Sequence, residues 1–129
     1  MPRVEEIIEQ TVNETIAKLK ISGLMRNDSL SPYEKTENLL YHYNVFKNAN
    51  EDNTQTKKIV ENIDRALKMI NDDYYFDIIQ MLFFDKLSRE QVAEHMNTSV
   101  TTISRNKKRL VESLSVILFS DEYIRNLIF

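Results

Sequence analysis

The stretch Ser99–Val111 carries four cations, Arg105, Lys107, Lys108 and Arg109, and no anion. Ser99, Thr101, Thr102 and Ser104 lead into them. Short hydroxyls beside long cations suit a polyanion: the hydroxyls let a backbone approach and bond to phosphate oxygens, and the cations neutralise them. On a helix, Thr101, Ser104, Arg105 and Lys108 share one arc, with Thr102 and Arg109 on its flank. Ser99 and Thr101 are candidates for bonds to phosphate. Arg105 is long enough to reach a guanine edge with both arms of its fork. Lys108 and Arg109 would meet phosphates further along. Lys107 falls nearer the apolar seam, where its stem packs and its ammonium snorkels. Lys86 and Arg89 stand ready to clamp a nucleic-acid backbone from the other side.

The charge that supports this is local. The whole chain has a net charge of −3, yet residues 86–111 hold six basic and two acidic side chains. Screening makes the nearby charges count most, so an acidic chain with one basic face can still bind a polyanion there. The bland alternative is a three-helix structural corner whose Lys107-Lys108-Arg109 run is only a solvated face.

Other chemistries find little support. There is no cysteine, so no disulfide, thiolate nucleophile or cysteine zinc site. A single glycine, Gly23, excludes a glycine-rich phosphate cradle. His42 and His95 lie too far apart in the chain to form a spaced metal motif. The pairs Glu5-Glu6, Asp72-Asp73 and Asp121-Glu122 sit near expected helix starts, where they complement the helix dipole. No nucleophile, base and orienter stand together; Tyr41, Tyr43, Tyr74 and Tyr75 could stack on bases, but at helical spacing such residues more often serve core and edge packing. The chain is therefore expected not to be an enzyme and to need no cofactor or metal.

The elements that must position the basic arc are helical. One glycine and two prolines in 129 residues are too few for the turns of an all-β fold. Val4, Ile7, Ile8, Val12, Ile16 and Leu19 form an amphipathic stripe, with Gly23 as a cap behind it. After a polar linker, Ser31-Pro32-Tyr33-Glu34 reads as a capping box opening a helix to about Lys47, with Tyr33, Thr36, Leu40, Tyr43 and Val45 or Phe46 inward. Asn48–Thr54 reads as a turn. Val60, Ile63, Leu67 and Ile70 mark the next helix. Residues 74–85 are apolar nearly all round and predict a buried helix. Ser88, with Gln91 three residues on, caps a short helix to Met96. Asn97–Thr98 turns the chain, and Ser99 caps a long helix with Val100, Ile103, Leu110, Leu114 and Ile117 inward. Ser120-Asp121-Glu122 opens a last helix through Tyr123, Ile124, Leu127, Ile128 and Phe129. Ala93 is small enough to let two helices cross closely, and Val92 and Ile103 would lock the corner, as in a helix-turn-helix.

The segment L-S-R-E-Q-V-A-E-H-M-N-T-S-V-T-T-I-S-R-N-K-K-R-L at 87–110 resembles the region-four helix-turn-helix of bacterial sigma factors. More broadly, the chain is similar to the ArpU-type phage late transcriptional regulators, on Y-E-K-T-E-N-L-L-Y-H-Y at 33–43, D-D-Y-Y at 72–75 and L-F-S-D-E at 118–122. The resemblance covers residues 32–122. It implies an all-α helical bundle with a sigma-like DNA-binding C-terminal half. It also implies promoter binding that switches on late phage genes for packaging and lysis, with Ser99, Val100, Thr101, Thr102, Ser104, Arg105 and Lys108 at the DNA-reading positions. Asn97 stands where such turns often carry glycine, so it must adopt a left-handed conformation. Thr98 and Asn106 replace residues that are commonly apolar.

Three parts are expected. Residues 1–31 form an amphipathic helix and linker, a candidate dimerisation or partner arm. Residues 32–72 form a two-helix part of the core, and 73–129 form the DNA-binding part with a C-terminal helix. The expected partner is double-stranded DNA. Further candidates are RNA polymerase, a second copy of the chain and a small phage or host regulatory protein. No apolar run is long enough to span a membrane, and the acidic start M-P-R-V-E-E-I-I-E-Q is not a signal peptide, so a cytoplasmic location in a bacterial host is expected. The alternative is an interaction module that binds polymerase or another regulator without reading DNA.

Overall fold

The structure, a computed structural model, describes residue 4 and residues 30–48 and 54–120. The expected N-terminal helix, its Gly23 cap and linker, most of the 48–54 turn and the last helix from Asp121 lie outside the described residues. Within them the fold is all-α, with no strand among the described residues. The elements are α1 (Pro32–Tyr41), α2 (Tyr43–Lys47), α3 (Thr54–Met69), α4 (Asp77–Ile79), a π-helical turn (Gln80–Phe84), α5 (Arg89–His95) and α6 (Val100–Leu118).

Helix α1 starts where the sequence directs it. The Ser31 hydroxyl accepts from the Glu34 N–H at 3.1 Å, and Pro32 supplies the first helical residue. Glu34 does reach back, but its carboxylate accepts from the Ser31 hydroxyl, so the reciprocal half of the box goes to the side chain. The expected single helix to Lys47 is broken at His42 (φ −98°, ψ 5°), which separates α1 from α2. Phe46, rather than Val45, is the buried residue at the end of α2.

The expected helix over 74–85 is corrected. Residues 71–76 are successive tight turns: Asp73 N–H donates to Ile70 O, Phe76 N–H to Asp73 O and Ile78 N–H to Tyr75 O, at 3.0–3.1 Å. The Asp73 carboxylate also accepts from the Tyr75 N–H at 2.9 Å, which competes with a helical path. Regular helix begins only at Asp77 and widens at once into the π-helical turn. An all-round apolar stretch cannot fix its own helical phase, so the sequence does not reveal that extra residue.

This segment joins two packed clusters. Ile79 and Phe83 belong to the larger, with Leu39, Leu40, Tyr43, Phe46, Ile63, Ala66, Leu67, Leu110, Val111, Leu114 and Phe119. Ile78 belongs to the smaller, with Val92, Ala93 and Ile103. The described residues of the expected parts 32–72 and 73–129 thus share one core, because the C-terminal half of α6 completes the cluster built by α1, α2 and α3. Thr36 and Ser115 are buried, and their hydroxyls donate to Pro32 O and Glu112 O on their own helices, so neither is left unsatisfied.

The corner between α5 and α6 is built as the sequence requires. Ser88 and Gln91 form a complete capping box. Helix α5 ends with Thr98 N–H donating to Ala93 O at 2.9 Å and Asn97 N–H to Glu94 O at 3.2 Å. That pair of bonds is a Schellman motif, and Asn97 (φ 53°) is its left-handed residue. Ser99 then caps α6 by accepting from the Thr102 N–H at 3.1 Å.

Candidate nucleic-acid interface

The first turns of α6 stand on a fixed base. Ile103 is fully buried against Ile78, Val92 and Ala93, which pins the helix one turn from its start. Side chains facing away from Ile103 must point to solvent. Thr101, Arg105 and Lys108 do so along one line, and all three are exposed. Ser104 borders that line and is half-buried. Val100, expected in the inward seam, is 37 % exposed. As the first residue of α6 it projects past the small cluster, and Val111 is buried further along instead.

The structure sorts the six cations of residues 86–111 into two groups. Arg105, Lys108 and Arg89 are exposed, with no ion pair or hydrogen bond from their side chains to any described residue. Lys86, Lys107 and Arg109 are engaged within the protein. Lys107 donates to the Glu37 carboxylate at 2.7 Å, with its ammonium 5.7 Å from the Phe83 ring centroid. The side chain is only 16 % exposed, so the ammonium does not snorkel to water as expected; its charge is neutralised by Glu37 of α1.

Lys86 does not reach outward as a clamp. Its ammonium donates to Tyr41 O and lies 3.6 Å from the Tyr41 ring centroid. Partial burial pushes its pKa below the ordinary lysine value. Its backbone is left-handed (φ 58°), in the connection that follows the π-helical turn, and this directs the side chain back to α1.

Arg109 departs most from expectation. Its guanidinium grips the Asp73 carboxylate with two bonds, 2.7 and 2.9 Å, and also donates to Asn106 Oδ1 at 3.2 and 3.3 Å. Asn106 in turn donates to Thr102 O at 2.9 Å. The Arg109 contact holds the Asp73 carboxyl below the ordinary carboxylate range, with the Tyr75 N–H adding to the effect, and the Arg109 pKa is raised reciprocally. Asp73 is the residue that sequence reasoning missed. It read as a helix-dipole charge, and nothing in the chain signals a partner 36 positions away.

The hydroxyls divide similarly. Ser99 Oγ caps the helix and shares a 2.9 Å hydrogen bond with Thr102 Oγ1, so both hydroxyls are occupied in holding the start of α6. Thr101 has no such engagement with the described residues and is exposed. Below Lys108 the outward line reaches Glu112, which is exposed and ends the cationic section. What remains is a compact face of Val100, Thr101, Ser104, Arg105 and Lys108, with Arg89 on the neighbouring helix.

No helix among the described residues is long and apolar enough to cross a membrane. No family model, curated protein or solved structure matches the chain.

Proposed function

We propose that the protein is a sequence-specific DNA-binding transcriptional regulator, an activator of phage or prophage late genes that reads promoter DNA with α5 and α6 as a sigma-like helix-turn-helix. The observation that carries this reading is the outward line Thr101, Arg105, Lys108 on a helix whose inner side is locked by Ile103. A recognition helix needs that combination: rigid support behind, and donors of graded length in front. Arg105 is the base reader, presenting its fork to guanine O6 and N7. Val100 offers an apolar contact to a thymine methyl. Thr101, Lys108 and Arg89 meet phosphates and set the register.

Further along α6, exposed Glu112 and the 48 % exposed Val116 follow the cationic turns. This acidic and apolar surface is suited to contacting RNA polymerase once the upper turns are on DNA. The interaction module without DNA reading is the other outcome of the test.

The test is selection from a random duplex library, followed by fluorescence anisotropy on the recovered sequence and on a scrambled control. The expected result is preferential binding of the recovered sequence, lost in Arg105→Ala. No duplex binding even at low salt would overturn the reading and favour the interaction module.

A further inference from the structure

Arg109 lies on the flank of the reading face, yet its fork is filled by a carboxylate of the same protein. Carboxylate and phosphate each offer paired oxygens to a guanidinium and compete for the same two-pronged geometry. The pair lies at the surface: the Arg109 side chain is 48 % exposed and that of Asp73 25 %. A two-pronged Arg–carboxylate pair is the exposed geometry that holds best, so a phosphate gains little by displacing it. Asp73 is also fixed from behind, because it accepts from the Tyr75 N–H within the turns at 71–76, and Arg109 is braced from the other side by Asn106. The carboxylate is thus held in place by backbone geometry, independently of Arg109.

Resting on the DNA-reading proposal, we infer that Asp73 is a built-in phosphate mimic that withholds Arg109 from DNA and so limits sequence-independent binding. In an encounter with arbitrary duplex, the phosphate must first displace Asp73, and that contact contributes little. The outward face then binds arbitrary DNA through fewer cations than the sequence supplies, which leaves base contacts a larger share of the affinity. Asp73 acts through Arg109 and is a positioning residue, not a DNA contact.

The experiment measures the salt dependence of binding to a fixed random-sequence duplex for wild type, Asp73→Asn, Arg109→Gln and the double variant. Asparagine keeps an acceptor for the Tyr75 N–H while removing the charge. Freeing one cation should steepen the slope of log K against log salt by about 0.9 and tighten binding on the order of tenfold at 50 mM salt. Arg109→Gln should leave the wild-type slope unchanged, and the gain of Asp73→Asn should vanish in the double variant. A gain that persists without Arg109 would mark a general charge effect and overturn the inference, as would an Arg109→Gln slope reduced by a full contact. In both cases DNA reading would stand. Absence of duplex binding by all four proteins at 50 mM salt would overturn the inference and the DNA-reading proposal together.

Discussion

The number of cations that face outward fixes how steeply DNA binding must weaken with salt. Residues 86–111 contain six cations by sequence. The structure engages Lys86 with Tyr41, Lys107 with Glu37 and Arg109 with Asp73, leaving Arg89, Arg105 and Lys108. On arbitrary duplex, where Arg105 has no guanine to read and meets phosphate beside Arg89 and Lys108, three phosphate contacts per copy give a slope of about −2.7, and six would give about −5.4. Between 50 and 200 mM salt the first predicts a loss of about 40-fold, and the second a loss on the order of 2,000-fold. The assay is anisotropy on a short duplex that admits one copy, with stoichiometry set by titration. The perturbation compares two positions one residue apart. Lys108→Gln should reduce the slope to about −1.8. The charge-neutral pair Lys107→Gln with Glu37→Gln should leave it at about −2.7, because that ion pair is already closed within the protein. Equal effects at the two positions would refute the reasoning, since they would show that bulk charge and not the exposed face governs binding.

Three further outcomes follow from the packing and the ionisable groups. Ile103→Ala removes the fully buried side chain that joins α6 to Ile78, Val92 and Ala93, and should cost 2–5 kcal/mol (roughly) in urea denaturation; a loss within about 0.5 kcal/mol, as at a surface site, would show that the corner does not depend on it. Asn97→Ala should lower stability by about 1 kcal/mol because alanine tolerates the left-handed backbone poorly, while Asn97→Gly should be tolerated, as thermal melts would reveal. Burial, reinforced by the bond to Asp64, raises the Tyr43 pKa. Its contribution to stability is therefore full below the unfolded value of about 10 and declines as pH rises through the higher folded value; Tyr43→Phe should flatten that part of the alkaline denaturation profile.

Short-range chemistry was legible along the chain. Ser31-Pro32 and Ser88 with Gln91 announce helix starts because each cap satisfies backbone N–H groups within three residues. Asn97 as the left-handed residue follows from the same local logic. The arc of Thr101, Arg105 and Lys108 follows from helical period once Ile103 is taken as inward. The π-helical turn and the break at His42 were not legible, because packing against neighbouring elements overrides a weak local preference.

The sequence by itself determined an all-α chain, the positions of its main caps, the corner between α5 and α6, and the concentration of cations near α6. These depend on residues within a few positions of one another. Only the tertiary structure decided which cations are available. Helical period already turns Lys107 toward the seam and Lys108 outward, but only packing brings up Glu37, 70 positions away, to close Lys107 within the protein. Arg109 flanks the reading arc by helical period and belongs to Asp73 by proximity. The physical reason is that an ion pair depends on distance in space, and distance in space is set by how α1 and the 71–76 turns pack against α6.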